Sequence, residues 1–333
     1  MHSLGRIRAW LSARRRFQFV LTVSMVMLLS GTCVALLMVP NPVMPKLHAA
    51  QQTSAENLGK PAADDNPRLV EVRRTVEPFG GLVTRVIPTG NGQESLVVGH
   101  PDQQIEIDVL ARELAAATAA VTDLWGPDWP RAATVVVASA PAEFAALLHS
   151  TEMPSDVAAA SIADPFAPGT EPTGQRVVFS ADAGRRLSPD GLRTLLRHEL
   201  THVATRARTV DGAPPWMLEG FAEYAAHRGQ GHTFGEAAPT VTTQVRAGQL
   251  PDDLPVATTF SGKSAVLAYE QAWSVCAFVA EKYDDTHLVD LYRRIAAGKQ
   301  DPATEDQILR EVLGISRTDF IADWRTWLST RAI

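Results

Sequence analysis

His198-Glu199-Leu200-Thr201-His202, followed by Trp216-Met217-Leu218-Glu219-Gly220-Phe221-Ala222-Glu223-Tyr224, is the part of the chain from which the rest is read. On a helix, His198 and His202 stand at i, i+4 and project from one face, a turn apart. Two imidazoles so spaced can take adjacent tetrahedral positions on one Zn²⁺. Glu199 lies about 100° further round the same helix, so it reaches a metal-bound water rather than the metal. Leu195, Leu196, Leu200 and Val203 make the helix packable, and two surface histidines on an amphipathic helix remain the bland alternative. The second segment starts at Pro214-Pro215, a helix-initiating pair. It carries Glu219 and Glu223 on one face of an otherwise apolar helix. Carboxylates buried there need a compensating charge, and a divalent metal held by two histidines supplies it. A turn at Val210-Asp211-Gly212 lets the second helix pack back on the first. Thr205 and Arg208 stand where a third-histidine pattern needs Gly and His, and Asp211 suits the chemistry of its turn.

Around this centre the pattern divides in two. Before it, Leu69–Val76, Leu82–Ile87, Ser95–Val98, Ala133–Ala138, Val157–Ala163 and Arg176–Ser180 read as short strands, broken by Gly and Pro. A long helix is expected over 102–124 and a short one over 141–149. After Ser188-Pro189, helices are expected at 189–207, 215–228, 238–248, 264–283, 285–297, 303–313 and 316–330. Trp324 and Trp327 on the last are core candidates. Strands followed by a run of helices give an α+β fold. Cys276 lies among Val275, Ala277 and Phe278 and reads as an inert core thiol. His227 and His232, just past the second helix, read as surface or cleft-rim residues.

The paired segments resemble the gluzincin metallopeptidases, in particular the bacterial peptidase MA-like families, over about residues 130–333. The resemblance implies a zincin-like domain with a small mixed sheet, an active-site helix and a helical C-terminal part. It implies Zn²⁺ bound by His198, His202 and Glu219, with Glu199 as general base and Glu223 holding a ligand histidine through its other ring nitrogen. Tyr269, in Leu267-Ala268-Tyr269-Glu270-Gln271-Ala272, is similar to an Ala-Tyr-x-Gln-Ala segment of that group, implying an oxyanion donor. It also implies that Arg176–Ser180 is an edge strand that binds extended peptide. The chain departs from the aminopeptidases in one respect: 16 residues separate His202 from Glu219, a shorter interval.

The N-terminal segment reads as an address. Phe17–Val39 is a 23-residue run without charge, preceded by five Arg. As a helix it spans roughly 35 Å, enough for a bilayer core. The basic segment 1–16 then stays in the cytoplasm and the chain after residue 39 lies outside. Cleavage near His48-Ala49-Ala50 would instead release the protein. Residues 40–67 read as a flexible tether, and 68–333 as the peptidase domain, with 68–100 contributing extra strands. Cys33 lies within the apolar run. With only two Cys in 333 residues, a disulfide scaffold or Cys-based zinc finger is excluded. Residues 51–333 hold 25 bases against 37 acids, a net of −12. That balance argues against nucleic-acid binding. The expected protein is a membrane-anchored, extracytoplasmic zinc metallopeptidase acting on a peptide or protein. The rival is a non-catalytic zincin-fold module for binding or sensing at the cell surface, against which Glu199 argues, since a pure binder needs no general base.

Overall fold

Strands β1 (Val83–Gly90), β2 (Gln93–Gly99), β3 (Thr134–Val137), β4 (Ala159–Ile162) and β5 (Arg176–Phe179) form one mixed sheet of order β1-β2-β3-β5-β4. The computed structural model describes residues 59–62, 66–151, 157–166 and 170–332. β1 and β2 make a hairpin whose turn residues, Asn91 and Gly92, both have positive φ, the pairing that matches strand twist. β2, β3 and β5 run parallel, and β4 closes the far side antiparallel to β5. The edge strand next to the helical half is therefore Ala159–Ile162. Arg176–Phe179, expected at the edge, is internal, paired on both sides. Strand order is fixed by long-range pairing, which local pattern does not carry.

Alternation along the strands splits the core in two. Val97, Val135, Val137, Val177 and Phe179 face one side, while Leu96, Val98, Val136 and Val178 face the other. Both faces are covered, which is why these strands read as unbroken apolar runs. The second face is covered by α1 (Pro67–Val76), through Leu69, Val72 and Val76. Residues 69–76 were expected as a strand, and the structure corrects this. Asn66 accepts the Arg68 backbone N–H at 3.1 Å, Pro67 opens the first turn, and the three buried residues share a helical face. The first face is covered by α2 (Gln104–Trp125), with α3 (Pro141–Leu147) joining α1 on the opposite side.

The helical half follows. α4 (Pro189–Thr205) is capped by Ser188, whose hydroxyl accepts the Gly191 N–H at 3.1 Å. It packs between α2, the edge strand β4 and α5 (Pro215–His227). Then come α6 (Pro239–Arg246), α7 (Ala265–Lys282), α8 (Asp285–Ile295), α9 (Pro302–Leu313) and α10 (Arg317–Arg331). These helix ends fall within two residues of expectation. α5 and α7 approach closely because Gly220 has no side chain. A Cβ there would come within 3.0 Å of Cys276 Sγ and nearer still to the Ala272 carbonyl. Trp216 Nε1 donates to Glu305 Oε1 at 2.9 Å, and Trp324 Nε1 to Ser274 Oγ at 3.1 Å, tying the last helices to the site. Trp324 and Cys276 are fully buried, and Trp327 packs against the core. Among the described residues no helix is long and apolar enough to cross a membrane. The expected anchor at 17–39, Cys33 and most of the tether lie outside the described residues.

Candidate metal centre

α4 and α5 bring three ligand-type atoms to one point. His198 Nε2 and His202 Nε2 are 3.1 Å apart. Glu219 Oε2 lies 3.4 Å from the first and 3.5 Å from the second. Atoms each about 2.1 Å from a tetrahedral zinc are about 3.4 Å from one another, so the triangle has the edge lengths of three such ligands. His198 and Glu219 are buried, and His202 is partly exposed, which leaves one side open. Glu219 Oε2 has no hydrogen-bond partner among the described residues. A buried carboxylate oxygen left between two imidazole nitrogens is costly unless a cation answers it. The residues thus fit a divalent ion. Asp211 takes no part: it is exposed, 3.8 Å from Arg206.

Glu223, one helical turn beyond Glu219, stands 3.2 Å from His198 Nδ1. The two atoms are at ion-pair distance without a hydrogen bond of good geometry among the described residues, and the carboxylate charge favours a proton on Nδ1, the tautomer that leaves the Nε2 lone pair for the triangle. Burial resists ionisation of both carboxylates, yet the histidines prevail: His202 and His198 hold Glu219 down to about 2, and His198 and His227 do the same for Glu223. Burial likewise works against charge on His198, but Glu219 and Glu223 keep its pKa well above the ordinary histidine value.

Glu199 is fully buried, with neither oxygen in a hydrogen bond of good geometry among the described residues. Burial, with the Glu219 charge, raises its pKa above the ordinary carboxylate value, although the charges of His198 and His202 and the Ser161 hydroxyl pull the other way. Ser161 was not singled out in the sequence. It lies in the edge strand, where Ala159 faces the α4 side and Ala160 and Ile162 the other, so alternation turns Ser161 towards α4. The legible signal was a single polar residue in an apolar strand, two positions after a core alanine. Tyr269, on α7, is buried, and its hydroxyl has no hydrogen bond of good geometry among the described residues. Burial first, then the charges of Glu219, Glu223 and Glu199, raise its pKa well above the ordinary value, which keeps it a proton donor.

No family model and no curated protein matches the chain. Among solved structures it is similar to an M1 zinc metallopeptidase from Deinococcus radiodurans, at 17% identity over 76% of this chain and 53% of that one, with a TM-score of 0.42. A mutant of that enzyme gives 16% identity over the same shares and a TM-score of 0.42. The chain spans about half the length of these proteins. A likeness this distant assigns no activity, and the chemistry is read from the geometry of the site itself.

Proposed function

We propose that this chain is a zinc-dependent metallopeptidase of the gluzincin type. The observation that carries the reading is the His198–His202–Glu219 triangle with the buried Glu199 carboxylate beside it, whose oxygens make no hydrogen bond of good geometry among the described residues. In this reading His198, His202 and Glu219 hold the metal, and Glu223 fixes the tautomer and angle of His198. Zinc, when bound, supplies Lewis acidity, lowering the pKa of a water and polarising a carbonyl oxygen. Glu199 accepts the proton of the attacking water and passes it to the leaving amine nitrogen, which needs the carboxylate ionised before attack and protonated after it. Tyr269 keeps its phenolic proton and donates a hydrogen bond to the developing oxyanion.

The outer edge of β4, beside α4, suits an extended peptide bound by main-chain hydrogen bonds. Residues 17–39 anchor the chain in this reading, with residues 59 onward on the extracytoplasmic side. The test is elemental analysis of the purified full chain, with Glu199→Gln and His198→Ala beside it. The reading expects about one zinc per chain, retained in Glu199→Gln without peptide hydrolysis and lost in His198→Ala. Hydrolysis persisting in Glu199→Gln removes Glu199 as base. An equal zinc content in His198→Ala removes the metal site.

A further inference from the structure

The carboxylate that holds His198 also reaches a second pair of histidines. Glu223 Oε1 faces His198 Nδ1, and its other oxygen lies 3.6 Å from His227 Nε2, at the last residue of α5. Beyond α5 the chain reverses through Gly229 and Gly231, both with positive φ, a conformation that favours glycine. Gln230 N donates to the His227 carbonyl at 3.2 Å and closes the turn. The reversal delivers His232 Nδ1 to 2.9 Å from His227 Nδ1, with the ring centroids 5.1 Å apart. The His227 ring is braced edge-on by Trp273, 6.1 Å away, which in turn meets Phe234 at 5.4 Å.

We propose that His227 and His232 form a second cation site, for a divalent ion that prefers imidazole, such as zinc, at the surface end of this chain of contacts. The Glu223 charge, 3.6 Å away and beyond hydrogen-bond distance, favours a proton on His227 Nε2, the tautomer that leaves the Nδ1 lone pair towards His232. A carboxylate near the other ring nitrogen is common for a metal-ligating histidine. His198 has the same arrangement from the same carboxylate. Two imidazole nitrogens facing each other must share one proton or take a cation. A hydrogen bond between two imidazoles in water contributes little, whereas a borderline-soft ion takes both lone pairs at once. An ion between them opens the pair by only a few tenths of an ångström, and His232, exposed on its loop, has the freedom to do so. Water completes the coordination. The site is distinct from the buried triangle and shares none of its ligands.

The experiment is a calorimetric titration of Zn²⁺ into the full chain after chelator stripping and dialysis. The wild type is expected to take up one tight and one weaker equivalent. His232→Ala should lose the weaker and keep the tight one, which also reports an intact fold. His198→Ala should do the reverse, so failure here and failure of the peptidase reading are separable. A wild-type chain that binds the tight equivalent alone, or a weaker equivalent that survives in His232→Ala, overturns the proposal.

Discussion

Two buried histidine–glutamate groups lie among the described residues, and they are built on opposite terms. In the sheet half, His100 Nε2 meets Glu143 Oε1 at 2.8 Å. His100 Nδ1 lies 3.0 Å from the Gly81 carbonyl, while Glu143 Oε2 accepts from the Ser139 N–H at 2.6 Å and from its hydroxyl at 2.5 Å. Every polar atom of the two side chains has a partner within the protein. At the helical centre, by contrast, Glu219 Oε2, both Glu199 oxygens, His198 Nδ1, Glu223 Oε1 and the Tyr269 hydroxyl have no hydrogen bond of good geometry among the described residues. Burial is comparable in the two places, so burial does not separate them. What separates them is completion. The first group ties the residue just after β2 to α3 and is complete within the protein, and the second leaves polar atoms that, under the proposed function, a cation and a substrate would answer.

This contrast predicts different failures. Glu143→Ala leaves His100 buried without its partner and should destabilise the fold by about 3–5 kcal/mol. Urea unfolding of the full chain measures this, and the zinc content of the folded protein should not change. A loss of zinc without loss of stability would erase the distinction. Glu223→Gln acts the other way. It removes the charge that steadies His198 while keeping an acceptor, so zinc affinity should fall about 10–100-fold, and the metal-free chain should also lose stability near neutral pH, because the depressed Glu223 carboxylate stabilises the fold there. Competition with a chelator of known affinity reads it out.

The difference also explains what could be seen in the sequence. The centre was legible because its spacing is local: His198 and His202 share one helix, as do Glu219 and Glu223, and helical period alone aligns each pair. The His100–Glu143 pair spans 43 positions and two elements, and nothing near either residue announces the other. Ser161 was hidden for a related reason, since its role depends on which strand takes the edge. At 69–76 the local signal was present but outweighed. Leu69, Val72 and Val76 fit a helix face, and Asn66-Pro67 is a helix start, yet the β-branched content favoured a strand. His227 and His232 show the limit of motif reading, because a loop turned by two glycines, rather than a helix, brings them together.

The smallest expected effect tests completion most directly. Ser139→Ala deletes the hydroxyl that donates to Glu143 Oε2 but keeps the backbone N–H that donates to the same oxygen. If the pair is stable because each atom is answered, one redundant donor should matter only modestly, by about 1 kcal/mol. The larger loss appears only when Glu143 itself goes. Unfolding curves for Ser139→Ala, Glu143→Ala and the double variant form a cycle. With Glu143 absent, the Ser139 hydroxyl has no carboxylate to reach, so the double variant should be no less stable than Glu143→Ala. A Ser139→Ala cost as large as that of Glu143→Ala would mean that the hydroxyl, and not the carboxylate, keeps His100 in place.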